Sequence, residues 1–470
     1  MEGNIFLLLC IGLPLFGSFL LPFLGRVTPR GRNVVAVAVC LAAFFFATVL
    51  SRMIPSGGVI DLYIFGGLGF HADALSCSVA MLISFIGSIV LFYSFGYAEQ
   101  EANQNEYYMT TVLLVGAVIG LVFSPNLLQI YIFWLLAAVC VWRIACFFRE
   151  EQTVLHADKT LLLLSAGAVL LLLGFVSAYL DAGSFALASL KEAEISGYST
   201  LLILAGILVG LGAPPFQVWM KNSASSPSSG YVLISLSVCL CGLYLFIRFF
   251  TFGLFKAGTE LAAVFPYITL IGALVCAGIA LKEHNLNRII TYTGIAQVLV
   301  LLFALLTVNP NSVAGGLFSI FTYSFAIAGL LLCAGIIGKK TGVNDISRMG
   351  GLFSVMPVTG IAFLLCASSL AGLPPLGGFW GKCFIVSGMI NSVPIWTLVT
   401  VLLIIILTFI CLFRAFVMIF TGDPYCPQEK EGSWEMVMSV GLLGVISFLA
   451  GIFVNVPIDL VRDIVTLIGR

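Results

Sequence analysis

Long, nearly continuous runs of apolar residues, separated by short polar stretches, dominate this 470-residue chain. A helix needs about 20 mostly apolar residues to cross a bilayer, and backbone groups in lipid are satisfied only in helices or closed barrels. The runs are continuous rather than alternating, so the pattern predicts helices. We predict fourteen spans, over residues 4–24, 33–50, 74–95, 107–124, 126–148, 159–180, 199–220, 230–250, 263–282, 288–307, 314–338, 354–392, 393–420 and 434–455.

The composition excludes most functions of soluble proteins. Hydrophobic residues make up 61% of the chain and charged residues 9%, whereas a soluble domain carries about 25% charged residues. The 21 Lys and Arg balance the 21 Asp and Glu, which argues against a nucleic-acid partner. The longest connections, 51–73 and 181–198, leave no room for a catalytic domain outside the membrane. We therefore expect an all-α polytopic membrane protein in the lipid bilayer.

Cysteine and histidine do not form a recognisable cofactor site. Most of the 13 cysteines lie inside apolar runs and no C-x-x-C pair exists. We therefore interpret them as small apolar side chains that pack between helices. The 3 histidines lie beside charged or turn residues, where they cannot supply axial haem ligands from facing helices. We expect no cofactor, no metal and no catalytic residue on this chain.

The distribution of Lys and Arg predicts the orientation, because cytoplasmic loops carry an excess of basic residues. Fourteen lie near odd-numbered loops: Arg26, Arg30, Arg32, Arg143, Arg149, Lys159, Lys221, Lys282, Arg288, Lys339, Lys340, Arg348, Arg414 and Lys430. Six lie near even-numbered loops or in the C-terminal tail: Arg52, Lys191, Arg248, Lys256, Arg462 and Arg470. We therefore predict cytoplasmic odd loops and both termini outside, in the cytoplasmic membrane of a bacterium or an archaeon. Arg143 and Arg414 lie near helix ends, where we expect them to snorkel to the interface.

One basic residue, Lys382, lies far from either end of its predicted span. It follows by about two turns a break at Pro374, Pro375, Gly377 and Gly378, since proline cannot continue a helix undisturbed. An ammonium at this depth is costly unless it is hydrated, paired or neutral, so such residues usually face a wet cavity. We predict that Lys382 is a proton-relay residue. The alternative is a lysine whose stem packs against apolar groups while its head reaches the surface.

A second break is predicted in the seventh span, at Gly212, Pro214 and Pro215. The seventh and twelfth spans are five apart, and an odd separation reverses direction across the membrane, which favours two inverted repeats. The predicted organisation is an N-terminal three-helix segment, two five-helix repeats and a C-terminal segment, at residues 1–106, 107–250, 263–420 and 421–470. The alternative is that Pro and Gly are simply frequent in membrane helices.

The stretch ASSLAGLPPLGGFWGKCFIVSGMI at residues 367–390 resembles the broken twelfth helix of the antiporter-like membrane subunits of respiratory complex I. It looks most like the subunit N type of NADH:quinone oxidoreductase, and related chains occur in membrane-bound hydrogenases and multisubunit cation/proton antiporters. Residues 70–100, 214–220, 284–302 and 317–335 are similar to the family's third helix, the stretch after its helix-seven break, its tenth helix and its eleventh helix.

The resemblance implies a proton-translocating subunit in the membrane arm of a redox-driven ion-pumping complex. Its implied partners are homologous antiporter-like subunits, small membrane subunits and a peripheral redox arm that carries any iron–sulfur or nucleotide cofactor. The sequence ends soon after the last predicted span, so we expect it to lack the long lateral helix of the family's largest member.

The sequence departs from the family at most of its charged positions. The family's helix-five glutamate follows a tryptophan, but here Leu135 follows Trp134, and Gly210 stands where the family has a lysine. Other charged family positions correspond to Ser235, Asn287, Tyr323 and Ile327. The resemblance therefore implies a degenerate N-terminal half-channel, with a candidate polar path through Ser235, Asn287, Tyr292, Gln297 and Tyr323.

Three other functions stay open. The chain can be a structural or assembly subunit of the same membrane arm that does not pump. It can be a sodium/proton antiporter module, although the lack of an intramembrane carboxylate weighs against direct Na⁺ binding, because hard cations need oxygen ligands. It can also be an unrelated solute carrier, for which no substrate-sized set of polar groups stands out.

Overall fold

The computed structural model is a bundle of membrane-length helices. It describes residues 2–54, 58–65, 68–99, 103–224, 226–251, 259–307, 309–390, 392–422 and 431–455, and residues 458, 461, 464 and 465. Within these ranges, 12 helices are long and apolar enough to cross a membrane. The prediction of a helical integral membrane protein is confirmed, apart from one short β-hairpin that the all-α prediction does not include, while the count of fourteen spans stays a prediction.

The helices follow the predicted spans closely. The first six are α1 (Glu2–Val27), α2 (Pro29–Met53), α3 (Ala74–Tyr97), α4 (Gln104–Val122), α5 (Leu127–Ala145) and α6 (Glu151–Ala182). The next six are α7 (Leu187–Glu192), α8 (Gly197–Gly210), α9 (Val218–Ser223), α10 (Ser228–Phe246), α11 (Thr259–Lys282) and α12 (Leu286–Leu306). The last five are α13 (Pro310–Thr341), α14 (Pro357–Ala371), α15 (Gly377–Met389), α16 (Ile395–Phe420) and α17 (Trp434–Ile452). Single π or 3₁₀ turns cover Ile247–Thr251, Ile346–Arg348 and Leu352–Ser354.

Three short elements outside the predicted spans, two strands and one helix, are not predicted from the sequence. Strands β1 (Ile60–Phe65) and β2 (Leu68–Ala72) pair antiparallel in the connection between α2 and α3. The short helix α7 lies in the connection between α6 and α8. Both connections were interpreted as loops because neither carries an apolar run long enough to stand out beside the membrane spans.

Burial divides the helices into an inner and an outer set. The most apolar stretches of α10 and α12 are each 94% buried, and that of α3 is 89% buried. The corresponding stretches of α1 and α16 are 33% buried and that of α2 is 28% buried, so their exposed apolar side chains face the lipid. The inner helices therefore hold the side chains that can form a passage.

Each predicted break separates a pair of shorter helices. The chain leaves α8 at Gly210 and re-enters a helix, α9, at Val218. It leaves α14 at Ala371 and resumes at Gly377 in α15. Each break contains a cis Pro–Pro bond and a glycine with positive φ, Gly212 at 63° and Gly372 at 84°.

Further features recur at matching places in the two halves of the chain. Asn126 starts α5 and forms an isolated β-bridge with Ala186, and Asn285 starts α12 and forms one with Asp345. Each asparagine side chain accepts a hydrogen bond from a backbone N–H in the first turn of its helix. The helices α6 and α13 that follow both contain 32 residues and end at a left-handed glycine.

A buried ion pair ties α3 to the end of α10. Asp73 is 1% exposed, caps α3 through the Ser76 N–H at 2.9 Å, and accepts a hydrogen bond from Arg248 Nη1 at 2.6 Å. The guanidinium of Arg248 also donates to the Tyr244 hydroxyl at 2.9 Å. Arg248, near the end of the predicted span 230–250, is thus buried at a helix end, because a carboxylate from a distant segment pairs with it.

Asp73→Asn is expected to lower the free energy of unfolding by about 3–5 kcal/mol, because it leaves the Arg248 charge buried without its carboxylate. Thermal unfolding of the purified protein in detergent measures this loss. Asp61→Asn is the control, since Asp61 contacts His71 at 2.6 Å on the exposed hairpin and should cost far less. Equal losses for the two variants would contradict the assignment.

The same pair has a defined pH dependence. Burial opposes ionisation of Asp73, but the Arg248 guanidinium outweighs burial and lowers the pKa of the carboxyl to about 2. A lowered pKa stabilises the folded protein above the ordinary value, and that contribution is lost as the pH falls toward 2. The melting temperature of the wild type should therefore drop more steeply between about pH 4 and pH 2 than that of Asp73→Asn.

Candidate functional site

The Lys382 side chain lies against the end of a broken helix. Its Nζ donates a hydrogen bond to the Leu370 carbonyl in the last turn of α14. The last carbonyls of a helix have no partner within the helix and form the negative end of its dipole. The break in the chain therefore exposes an acceptor inside the bundle, and Lys382, half-buried on α15, satisfies it.

A small cavity adjoins Lys382 between α12, α13, α14 and α15. Its lining residues are Gln297, Val300, Leu301, Ser319, Thr322, Tyr323, Ser369, Leu370, Gly378, Lys382 and Ile385. The space for water is about 20 Å³, and about 10–15 Å³ is enough for one molecule. The hydroxyl of Ser319 is buried with no hydrogen-bond partner within the described part of the chain, so the cavity offers a water both an ammonium and an unsatisfied hydroxyl.

The structure brings two residues of the predicted polar path to this cavity. Gln297 on α12 lines it and donates from Nε2 to Thr408 Oγ1 at 2.9 Å. Tyr323 on α13 lines it and lies close to Cys239 on α10. The contact to Cys239 places Tyr323 between the cavity and the most buried face of α10.

The remaining path residues lie toward α9 and the start of α12. The Tyr231 hydroxyl is 2.6 Å from Thr291 Oγ1, and Thr291 donates to the Asn287 carbonyl at 2.6 Å. Ser235 stands one turn after Tyr231 and one turn before Cys239, so the three share one face of α10. Tyr292 follows Thr291 and is buried, but neither it nor Asn287 lines the Lys382 cavity.

Two glycines make the second break possible. A Cβ at Gly378 would lie 1.8 Å from the Ser369 carbonyl oxygen, so only glycine lets α15 start this close to α14. A Cβ at Gly372 would lie 2.4 Å from Lys382 Cδ and 3.1 Å from Nζ. Gly378, a predicted break residue, and Gly372, which was not among the predicted ones, therefore shape the position of Lys382, while Pro374 and Pro375 are exposed beside it.

The space beside Gly210, just before the first break, is filled with apolar groups. A Cβ at Gly210 would lie 2.5 Å from Trp134 Cη2, so the indole occupies the space that a side chain at 210 needs. A small apolar void nearby is lined by Trp134, Ala137, Ala138, Leu164, Val238 and Cys241. Leu135 is 37% exposed on the outer side of α5. The first half therefore has no charged group at these positions.

Other polar contacts differ from the sequence-based expectations. Arg143 pairs with Glu106 at the start of α4, and Arg414 donates to the Leu281 and Glu283 carbonyls at the end of α11. Both arginines lie near helix ends as predicted, but neither simply extends to water. Ser319, Thr322 and Ser369 were missed as cavity residues, because isolated hydroxyls are frequent in membrane helices and give no sequence signal of their own.

The described residues contain no group of three or more His, Cys, Asp or Glu that could hold a metal ion. Lys382 is the one charged residue among those that line its cavity. The arrangement can bind water and exchange a proton at an amine.

Two models of known protein families match regions of this chain. The family model for the transmembrane region of NADH:quinone oxidoreductase and Mrp antiporter matches residues 124–408. The model for the N-terminus of chain 5 of NADH-ubiquinone oxidoreductase (complex I) matches residues 67–108.

Individual relatives come from both of these groups. The A subunit of the Na(+)/H(+) antiporter of Alkalihalophilus pseudofirmus is 28% identical over 94% of this chain and 60% of its own length. Chloroplastic NAD(P)H-quinone oxidoreductase subunit 5 of Anthoceros angustus is 28% identical over 93% of this chain and 64% of its own length. The chain thus spans somewhat under two thirds of these relatives. Similarity to subunit N in particular stays a prediction.

A solved structure supports the fold at lower sequence identity. A chain of the membrane-bound sulfane sulfur reductase, an archaeal respiratory membrane complex, superposes with a TM-score of 0.91 at 20% identity. The match covers 99% of this chain and 98% of that chain. At this identity the likeness establishes the architecture and nothing about activity.

Gly210→Ala is expected to destabilise the protein by about 1–3 kcal/mol, because the new methyl group overlaps the Trp134 indole. The cost should shrink when Trp134 is first replaced by Leu, which leaves room for the methyl group. A double-mutant cycle on thermal unfolding in detergent measures this coupling. An equal cost of Gly210→Ala in both backgrounds would show that the indole does not fill the position.

Proposed function

This chain belongs to the NADH:quinone oxidoreductase/Mrp antiporter transmembrane family, and we propose that it translocates protons in the membrane arm of a redox-driven ion-pumping complex. The observation that carries the proposal is the position of Lys382. Its amine donates a hydrogen bond to a carbonyl at the end of α14, beside a cavity large enough for water. A basic group buried at this cost is rarely kept without a role.

The proposed proton route lies in the second half of the chain. Lys382 stores the proton, and Gln297, Tyr323 and Ser319 hold the water that reaches it. The face of α10 that carries Tyr231, Ser235 and Cys239 extends the polar line toward α9. Hydroxyl groups and water can pass a proton along this line but do not store charge at neutral pH.

The first half is proposed to be a degenerate half-channel within an inverted repeat. The recurring Asn caps, β-bridges, 32-residue helices and Pro–Pro breaks support the repeat. Lys382 stands seven residues after Pro375, and the residue seven after Pro215 is Asn222. An amide at the equivalent position cannot take up a proton at neutral pH, so the two halves differ in the property that matters for transport.

The proposal includes the partners and orientation that the sequence suggested. Homologous membrane subunits, small membrane subunits and a peripheral redox arm would surround the chain, with iron–sulfur or nucleotide cofactors on that arm. The chain is proposed to have fourteen spans, both termini outside, and cytoplasmic odd loops in a bacterium or archaeon. The bias of Lys and Arg toward odd loops supports this orientation.

A cation/proton antiporter module is the second candidate, favoured by the 28% identity to the Na(+)/H(+) antiporter relative. The two candidates differ in their dependence on sodium. Proton movement that needs a redox substrate and ignores Na⁺ supports the first, and proton movement driven by an imposed Na⁺ gradient supports the second.

Lys382→Arg is expected to assemble but to lower the initial rate of proton uptake at least severalfold. Arginine retains the charge and a donor for the Leu370 carbonyl, yet it does not release a proton in proteins. Proteoliposomes that contain the intact complex and a pH-sensitive dye measure the rate. Lys159→Arg is the matched control, since Lys159 is exposed near the start of α6. Unchanged uptake by Lys382→Arg would favour a structural role for the chain instead.

Gly372→Ala is expected to impair transport as well, because its methyl group would push the Lys382 stem away from the Leu370 carbonyl. Gly342→Ala is the control: Gly342 has a φ of 68° and no atom within 4 Å of an added Cβ. Both variants force alanine into a left-handed conformation, at about 1–2 kcal/mol. If both lower transport equally, backbone strain rather than Lys382 explains the effect.

A further inference from the structure

A second cavity, of about 700 Å³, opens where α2, α3, α4 and α17 meet. It shares no lining residue with the Lys382 cavity. Its charged lining residues are Arg30 and Arg32 on α2, Glu99 after α3 and Glu435 in the first turn of α17. The volume falls in the range of about 300–1,000 Å³ that small-molecule sites occupy.

The cavity lies at the level where membrane spans end. The span of α1 ends at Val27, that of α2 starts at Pro29, and that of α3 ends at Tyr97. The spans of α4 and α17 also start here, at Gln104 and Trp434. Ends of several spans at one level mark the boundary between hydrocarbon and water, which is the depth of lipid headgroups.

The basic and acidic groups come from different walls of the cavity. The guanidinium of Arg32 is buried and donates to three amide oxygens, those of Asn33, Gln104 and Asn105. It lies 4.7 Å from the centre of the Tyr108 ring. These partners are neutral, so they orient its charge without cancelling it. Within the described ranges, no ion pair shorter than 4.0 Å joins the two arginines to Glu99 or Glu435.

An apolar track leads away from the cavity along α2. Val34 lines the cavity and is 58% exposed. Leu41 and Phe45 follow at positions that share its face of the helix and are 44% and 59% exposed. A ligand with its polar end between the charged walls can lay a hydrocarbon chain along this track.

We propose that this cavity binds the headgroup of a zwitterionic aminophospholipid, phosphatidylethanolamine. Arg30 binds the phosphate, the buried positive charge of Arg32 lies beside it, and Glu99 and Glu435 accept hydrogen bonds from the primary ammonium. Two basic and two acidic groups match a headgroup that carries both charges. An anionic headgroup would face the glutamates without compensation, and the quaternary ammonium of phosphatidylcholine has no N–H to donate.

Native mass spectrometry of the purified full-length protein tests the proposal. The protein is incubated with equal amounts of phosphatidylethanolamine, phosphatidylcholine and phosphatidylglycerol, and bound lipid is counted. The wild type should retain phosphatidylethanolamine preferentially. Arg30→Gln and Glu99→Gln should each weaken retention about tenfold, the effect of losing one charged hydrogen bond. Both side chains are exposed, so neither change threatens folding, and Arg52→Gln at the other end of α2 is the control.

Four results would overturn the proposal. Equal retention of the three lipids would mean that the cavity does not select a headgroup. Preference for phosphatidylglycerol, or retention that ignores both variants, would assign the bound lipid to another chemistry or another surface. A photoreactive side chain at Val34 in the intact complex should form a lipid adduct, and a protein adduct instead would show that a partner chain fills the cavity. None of these readouts depends on proton transport.

Discussion

The hydrogen bond between Lys382 and the Leu370 carbonyl satisfies the most general constraint on a membrane protein. Backbone polar groups in hydrocarbon must have hydrogen-bond partners. A continuous helix satisfies that constraint within its own backbone. It leaves no carbonyl inside the bundle free to accept a hydrogen bond from a protonated side chain. The break at Pro374 and Pro375 ends α14 inside the bundle and exposes its last carbonyls. A positively charged side chain is favourable at that negative helix end, and the cavity beside Lys382 is large enough for a water molecule.

The sequence predicted the parts of this arrangement that are encoded locally. Both breaks, at Gly212 and Gly372, fall where proline and glycine interrupt an apolar run, because these residues act on their own stretch of backbone. Contacts between residues that are far apart in the sequence could not be predicted in this way. The ion pair of Arg248 could not be predicted because its partner, Asp73, is 175 positions away. The hairpin of β1 and β2 was missed for a related reason, since two short strands beside membrane spans have no distinctive periodicity.

The candidate polar path could also be predicted only in part from the sequence. Gln297 and Tyr323 reach the Lys382 cavity, whereas Asn287 and Tyr292 do not line it. All four lie on α12 or α13, so their helices could be predicted, but which of them face α15 depends on how the inner helices are rotated against one another. Ser319 lines the cavity for that reason too: a Cβ at Gly381 on α15 would lie 2.2 Å from its hydroxyl oxygen.

The asymmetry between the two halves bears on what drives transport. One half holds an amine beside a cavity, and the other holds Trp134 packed against Gly210. The cavity residues include no carboxylate, and the sequence has no Asp or Glu between Asp345 and Asp423. Lys382 therefore has no acidic neighbour along its own segment whose movement could change its affinity for a proton. If Lys382 stores the proton as proposed, the groups that set the direction of its movement therefore lie outside this cavity and this segment. The absence of an acidic neighbour in both places is consistent with a chain that works as a component of a larger complex.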